Sequence, residues 1–335
     1  MIMKGTQQHK KQKDRVAELF RHASARERPP AEDELAIRQA LHTEWSGMTR
    51  QRKRRRALFT LAAAASVVLA VMVGIKLAPQ SAPAPSLTQL AVVEKTVGVV
   101  RVKSSDGSLQ GPDSATELMS GQQIVTRSDS RMALRWLNGE SIRLDENTEL
   151  ILNSADGITL QAGRIYLDTD QAEANEELYI STPAGRVRHL GTRYMTTVSG
   201  NVTSVSVREG KVSVDVQGVE SVAARGDRLT VDAQGASSRG SVSSYGPEWL
   251  WTEELAPAFS SHGRTMAQFL EWVAHESGRV VEFASSDAER LAGDTHLRGR
   301  INLGPMRALE AVLQTSDLAA EVSAGTIVVR LRVGS

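Results

Sequence analysis

The sequence predicts a multidomain chain: a short cytoplasmic α-helical tail, one transmembrane helix, an all-β domain beyond the membrane and a small C-terminal α+β domain. Three observations carry this. Ala57–Ile75 is a run of 19 uncharged residues directly behind the basic cluster Arg50–Arg56. From about Val92 to Val231 apolar residues alternate with polar ones, and strand and turn signals recur without a helix. After the polar stretch Asp232–Ser244, helical and strand patterns alternate to the end. The expected divisions are 1–56 (tail), 57–78 (span), 79–91 (Pro/Ala linker), 92–244 (all-β) and 245–335 (α+β).

The tail comes first. Residues 1–13 are polar and basic, a composition that favours disorder. Val16, Leu19, Phe20 and Ala23 then share one face of a short helix, which Pro29-Pro30 ends. A second helix starts near Pro30, with Glu32, Asp33 and Glu34 at its positive end. Ile37, Leu41, Trp45 and Met48 form its apolar stripe. Two such helices cannot bury a core. They either pack on each other as a loose hairpin or fold into a groove on a cytoplasmic partner.

The span follows. At about 1.5 Å per residue the uncharged run is roughly 28 Å long as a helix, close to the hydrocarbon thickness of a bilayer. Six of the seven residues at 50–56 are basic, which keeps the N-terminus inside and everything after Ala78 outside. Residues 1–56 carry 15 Lys/Arg and 7 Asp/Glu, so the overall +1 hides a basic tail and an acidic remainder. Two other readings of the run are a cleaved export signal and a buried soluble helix. The first draws on Ala82-Pro83-Ala84 and on a faint twin-arginine pattern at Arg55-Arg56, but the run exceeds the usual h-region. The basic cluster is read as a topology determinant, with no direct nucleic-acid contact.

In the β region, Met132–Leu137, Asn138-Gly139 and Glu140–Leu144 read as strand, two-residue hairpin turn and strand. Val97–Val102, Ile158–Leu167, Val202–Val207 and Val212–Val216 are further strands. A glycine followed by alternating apolar residues recurs at Gly98, Gly163 and Gly210, a weak sign of stacked hairpins. At the C-terminal end Met266, Phe269, Leu270 and Val273 mark a helix that stops at Gly278. The expected sequel is a strand at Val280–Phe283, a strand at Thr295–Leu303 and a helix from Pro305. A hairpin about Gly325 closes the domain, and a further strand near Ala258-Phe259 precedes it.

Catalytic motifs are scarce. No P-loop, GxGxxG, GxSxG or zincin helix is present, and the chain has no cysteine, which removes disulfides and thiolate chemistry. His189, His262, His275 and His296 are read as surface or capping histidines. Asp145-Glu146 and Asp168–Asp170 are read as loop solvation. No catalytic residue, cofactor or metal is assigned, and the chain is not expected to be an enzyme.

Three stretches carry a family resemblance: Leu118–Thr126, Leu137–Leu144 and, most specifically, Ser181–Tyr194 leading into Val205–Val214. The turn Leu190-Gly191-Thr192 with Tyr194, followed by Glu209-Gly210-Lys211-Val212, resembles the periplasmic domain of FecR-family membrane regulators. Glycine permits positive φ at such a turn, and Thr192 is expected to bond its own backbone there. The C-terminal part, with Trp249-Leu250-Trp251, resembles the short secretin/TonB N-terminal domain.

The resemblance implies a single-pass protein of the bacterial inner membrane, with its N-terminus cytoplasmic and its C-terminus periplasmic. It implies an anti-sigma-type signal transducer whose tail sequesters an extracytoplasmic-function sigma factor. The stripe Val16, Leu19, Phe20, Ile37, Leu41 and Trp45 would be the binding face. The C-terminal domain would meet a periplasmic protein or an outer-membrane transducer. The chain departs from the family's tail pattern in offering only Trp45 as a tryptophan there. The other reading, from a different class, is a membrane-tethered binding or scaffold module for an envelope component.

Overall fold

The computed structural model describes residues 88–169, 178–189 and 191–332. The tail, the span and most of the linker lie outside the described residues. So do the stripe residues Val16, Leu19, Phe20, Ile37, Leu41 and Trp45, and so does Leu190. Among the described residues no helix is long and apolar enough to cross a membrane, and Ala57–Ile75 is not among them.

Alternation along the strands builds two sheets that share one buried core. In the first, Glu117–Met119, Gln89–Val97, Arg131–Trp136, Ser141–Leu144, the second half of Gly157–Asp168, Arg193–Ser199, Val202–Glu209, Asp227–Asp232 and Ser237–Ser241 are neighbours in that order. In the second the order is Leu109–Gln110, Val100–Lys103, Gln123–Thr126, Glu149–Ser154, the first half of Gly157–Asp168, Tyr179–Ser181, Arg186–His189, Lys211–Val216 and Val219–Ala224. Pairing is antiparallel except between Gly157–Asp168 and Tyr179–Ser181. Leu134, Trp136, Ile142, Ile165 and Val207 of the first sheet are buried with Ile124, Leu150, Ile158, Val187 and Val214 of the second. Strand structure starts at Gln89, so the last residues expected in the linker are strand.

The chain crosses between the sheets at corners, and the three recurrent glycines mark such crossings. Gly98 lies between Gln89–Val97 and Val100–Lys103, and Gly210 between Val202–Glu209 and Lys211–Val216. Gly163 is where Gly157–Asp168 passes from one sheet to the other. All three have positive φ (71°, 89° and 78° in chain order). A Cβ at each would overlap the adjacent corner: Ser130 and Asp129 at Gly98, Thr148 and Asn147 at Gly163, Gly191 and Thr192 at Gly210. Only glycine meets both demands without displacing a neighbour.

The Asn-Gly turn differs from expectation. Gly139 N donates to Trp136 O at 3.0 Å, Trp136 N donates to Glu140 O at 2.8 Å, and Gly139 alone has positive φ. This is a three-residue loop with glycine in the left-handed position, not a two-residue turn that needs positive φ twice.

Four described α-helices follow: α1 (Leu250–Glu254), α2 (Met266–Ser277), α3 (Ser286–Asp294) and α4 (Pro305–Gln314). Thr265 and Gln268 form a capping box on α2, and Gly278 closes it in the left-handed conformation. Val280–Phe283 pairs in parallel with Thr326–Leu331, which also forms a hairpin with Leu318–Ser323. The expected strand at Thr295–Leu303 is reduced to Arg300–Ile301, which pairs with Phe259–Ser260. The helix α3 precedes it. Ser285 caps α3 by accepting from Ala288 N at 3.2 Å, and Asp287 and Glu289 sit in its first turn, a start signal the apolar pattern hid. Its short apolar side, Ala288 and Ala292, packs into a core with Phe269, Val273, Leu309 and Ile327.

Pro85–Ser335 forms one compact unit. The outer face of the first sheet is covered, not solvated. Ala133, Tyr166 and Met195 on that face bury Trp249, Trp251 and Leu255.

Candidate functional site at the seam of sheet and C-terminal helix

Alternation places Arg143 opposite Ile142 and Leu144, and Arg208 opposite Val207, on the outer face of the first sheet. Arg193 begins the neighbouring strand on the same face. All three guanidinium side chains are buried, because α1 and α2 lie over them. Arg143 Nη1 donates to Thr252 O at 2.8 Å and pairs with Glu276 Oε2 at 2.8 Å. Arg208 donates through Nε to Ser244 O at 2.6 Å and through Nη1 to Glu276 O at 3.1 Å. Arg193 donates to His275 O and pairs with Glu209. Two arginines therefore meet backbone carbonyls in the last turn of α2, where unpaired carbonyls and the helix dipole favour cations.

The charges are matched in part by carboxylates. His275 Nε2 is 2.7 Å from Asp168 Oδ2. Burial is the largest single influence and would lower the Arg143 pKa, but the Glu276 charge and hydrogen bond together with the charges of Tyr166 and Asp168 hold the group above its ordinary value. The hydrogen bond from Arg193 lowers the Glu209 carboxyl. Burial raises Glu253, against the pull of Arg208 and Arg279. Tyr166 lies beneath both Arg143 and Arg208, whose guanidinium carbons are 5.3 and 5.8 Å from its ring centre. Burial pushes its hydroxyl pKa up.

Asp168, His275 and Glu276 bring ligand atoms within 4.8 Å of one another. Each already has a partner: Asp168 and His275 are hydrogen-bonded to each other, and Glu276 is ion-paired with Arg143. A divalent cation there would face the Arg143 guanidinium, so the cluster reads as an ion-pair network.

The residues of the family turn stand elsewhere. Gly191, Thr192 and Gly210 meet at one corner, and Tyr194 points from the adjoining strand into the core. The Thr192 hydroxyl has no partner. The corner is closed by Thr169 instead, whose hydroxyl donates to Thr192 O at 3.0 Å and accepts from Thr192 N at 2.8 Å. Below it Glu140, His189 and Tyr194 form a buried cluster, with His189 Nε2 3.4 Å from Glu140 Oε1. The Tyr194 hydroxyl pKa is pushed well up by burial and by the Glu140 charge.

Four sequence expectations are thereby corrected. His189 is a core histidine, and His275 is hydrogen-bonded to Asp168. Asp145 is buried between Arg131 and Arg164, each at 2.9 Å, and Asp168 is buried at the seam, so neither merely solvates a loop. Sequence reasoning missed Arg143, Arg193, Arg208 and Glu276 altogether. The only available signal was the recurrence of arginine at polar positions of alternating strands.

The corners at Gly163 and Gly210, the Thr192 turn and the strands between them fall in a single segment. Residues 122–213 match the FecR protein family. The FecR match takes in Arg143, Asp168, Arg193 and Arg208, but not the helix they hold. No curated protein matches the sequence. Two crystal structures of a proposed anti-sigma factor from Parabacteroides distasonis, at 2.50 and 1.65 Å resolution, are similar at 14% identity. Each covers 62% of this chain and 98% or 97% of the other, with TM-scores of 0.33 and 0.34. A structure described as a cell surface anchoring domain covers 20% of this chain and 87% of its own, at 14% identity and a TM-score of 0.19.

Proposed function

We propose that this chain is an anti-sigma-type regulator of the bacterial inner membrane, with a sigma-binding tail inside and the described residues in the periplasm. The match of residues 122–213 to the FecR family carries the reading. The uncharged run behind six basic residues supports the topology, because Lys/Arg flanks stay on the cytoplasmic side. No reaction is assigned.

The tail stripe Val16, Leu19, Phe20, Ile37, Leu41 and Trp45 binds the sigma factor, helix into groove. The C-terminal lobe receives a periplasmic protein or an outer-membrane transducer. Its three-stranded sheet supports this, since Leu318–Ser323 pairs only on the side of Thr326–Leu331 among the described residues. Beside that strand a cavity of about 500 Å³ is lined by Met306, Leu309, Leu313 and Val322. An extended segment adding to this edge gains backbone hydrogen bonds and apolar contacts together.

The experiment is affinity capture from the native host with residues 1–56 as bait. Recovery of a sigma factor is expected. Its absence from captures in which the bait itself is intact and soluble overturns the reading.

A further inference from the structure

A cleft of about 460 Å³ lies between α2 and residues 257–260, with Phe259, Trp272, Gln268 and His275 in its walls. A narrower space of about 20 Å³ lies against the sheet, and Pro257, His275 and Glu276 line both. Ser141 and Arg143 line the inner space. Both residues are buried, Arg143 completely. The Ser141 hydroxyl and the Nε and Nη2 atoms of Arg143 have no hydrogen-bond partner.

The identity of those two nitrogens matters. Nη1 is committed to Glu276 and Thr252. Nε and Nη2 form the side edge of the guanidinium, a planar pair of donors whose spacing matches the two oxygens of a carboxylate. A buried charged donor left unpaired is costly, so this edge favours an acceptor. The inner space holds about one small group, too little for a tetrahedral oxyanion and its surroundings. Glu276 is engaged by Arg143 Nη1 and Asp168 by His275, so neither carboxylate occupies the Nε/Nη2 edge, and Arg135 adds a second cation to the lining of the inner space. A metal cation is disfavoured, because it would face the Arg143 guanidinium. The outer cleft is larger and carries two aromatic walls.

We propose that the seam is a binding site for a small carboxylate-bearing molecule, whose carboxylate meets Arg143 and Ser141 and whose body lies against Phe259 and Trp272. The site involves neither the tail nor a sigma factor, so its test is independent of both.

The test uses the purified full-length chain, with calorimetry and ligand-observed NMR. The probes are benzoate against its neutral isostere benzamide, and glucuronate against glucose. At least one acid is expected to saturate a single site near about 1 mM, with its neutral counterpart about tenfold weaker. Benzoate alone would indicate an apolar body and glucuronate alone a sugar body, and either supports the site. Arg143→Lys keeps the charge but loses the fork, and should weaken the acid about tenfold. Ser260→Trp fills the exposed mouth of the cleft and should abolish binding with the unfolding midpoint unchanged. It serves as the test if Arg143→Lys does not fold. No saturable binding by either acid, equal binding of acid and neutral probe, or unchanged binding in Ser260→Trp would overturn the proposal. A seam that holds only water gives the first of these results.

Discussion

Arg143 and Glu276 lie 133 positions apart in the chain, yet Nη1 and Oε2 meet at 2.8 Å with both side chains almost wholly excluded from solvent. The pair joins a strand inside the FecR match to the last turn of α2 outside it. A buried carboxylate and guanidinium each lose hydration, so neither tolerates loss of the other.

Glu276→Ala should therefore cost about 3–5 kcal/mol of stability, since it leaves Arg143 charged and buried. The double change Arg143→Met with Glu276→Leu should cost much less, because apolar side chains of similar volume avoid the desolvation penalty. Urea unfolding followed by tryptophan fluorescence measures both. A double variant as unstable as Glu276→Ala would show that the helix is not held through this pair.

Gly210→Ala should destabilise by about 3 kcal/mol or more, because positive φ and overlap with Gly191 and Thr192 act together. Gly235 has φ of 89° but open space around the position of a Cβ, so Gly235→Ala should cost only about 1 kcal/mol. Equal losses in the same denaturation series would argue against crowding at the corners.

Burial raises the Glu253 pKa, so the folded chain keeps a proton that the unfolded chain loses above about pH 4.5. The unfolded state then binds fewer protons, and stability falls as pH climbs from that value through the folded one. Glu253→Gln removes this slope and should be more stable than the parent at neutral pH. Melting temperatures of the two proteins at a series of pH values should converge in acid and separate above it. Parallel curves would remove Glu253 as the cause.

In the tail, Leu41→Asp places a charge in the middle of the apolar stripe. It should abolish capture of the sigma factor and leave membrane fractionation unchanged. Undiminished capture would show that the stripe is not the contact.

A reporter enzyme active only outside the cytoplasm, fused after Ser86, should be active. Activity confined to a cytoplasmic reporter at the same position would reverse the topology.

Much of the β architecture was legible because it follows from alternation and turn chemistry. The recurrence of Gly98, Gly163 and Gly210, slight as a sequence signal, marked three passages between layers. α2 was legible to its final residue, since Met266, Phe269, Leu270 and Val273 give its face and Gly278 its end. The helix α3 was not, because Ala288 and Ala292 supply too little apolar side to outweigh the strand-like residues after it. The seam was invisible for a different reason. An arginine at a polar position of an alternating strand looks solvated until something distant covers it, and nothing near Arg143 or Arg208 announces α2. Thr192 was credited with a bond that Thr169 makes, a contact across 23 positions that no local rule contains.

Gly157–Asp168 lends its first half to one layer and its second half to the other, and ends at the aspartate that grips His275. A tug on the C-terminal lobe thus arrives at the midline of the sandwich, on backbone laced into both layers, and not at a rim strand that would peel away. Force or torque applied by a docked partner would be carried by this beam as a whole.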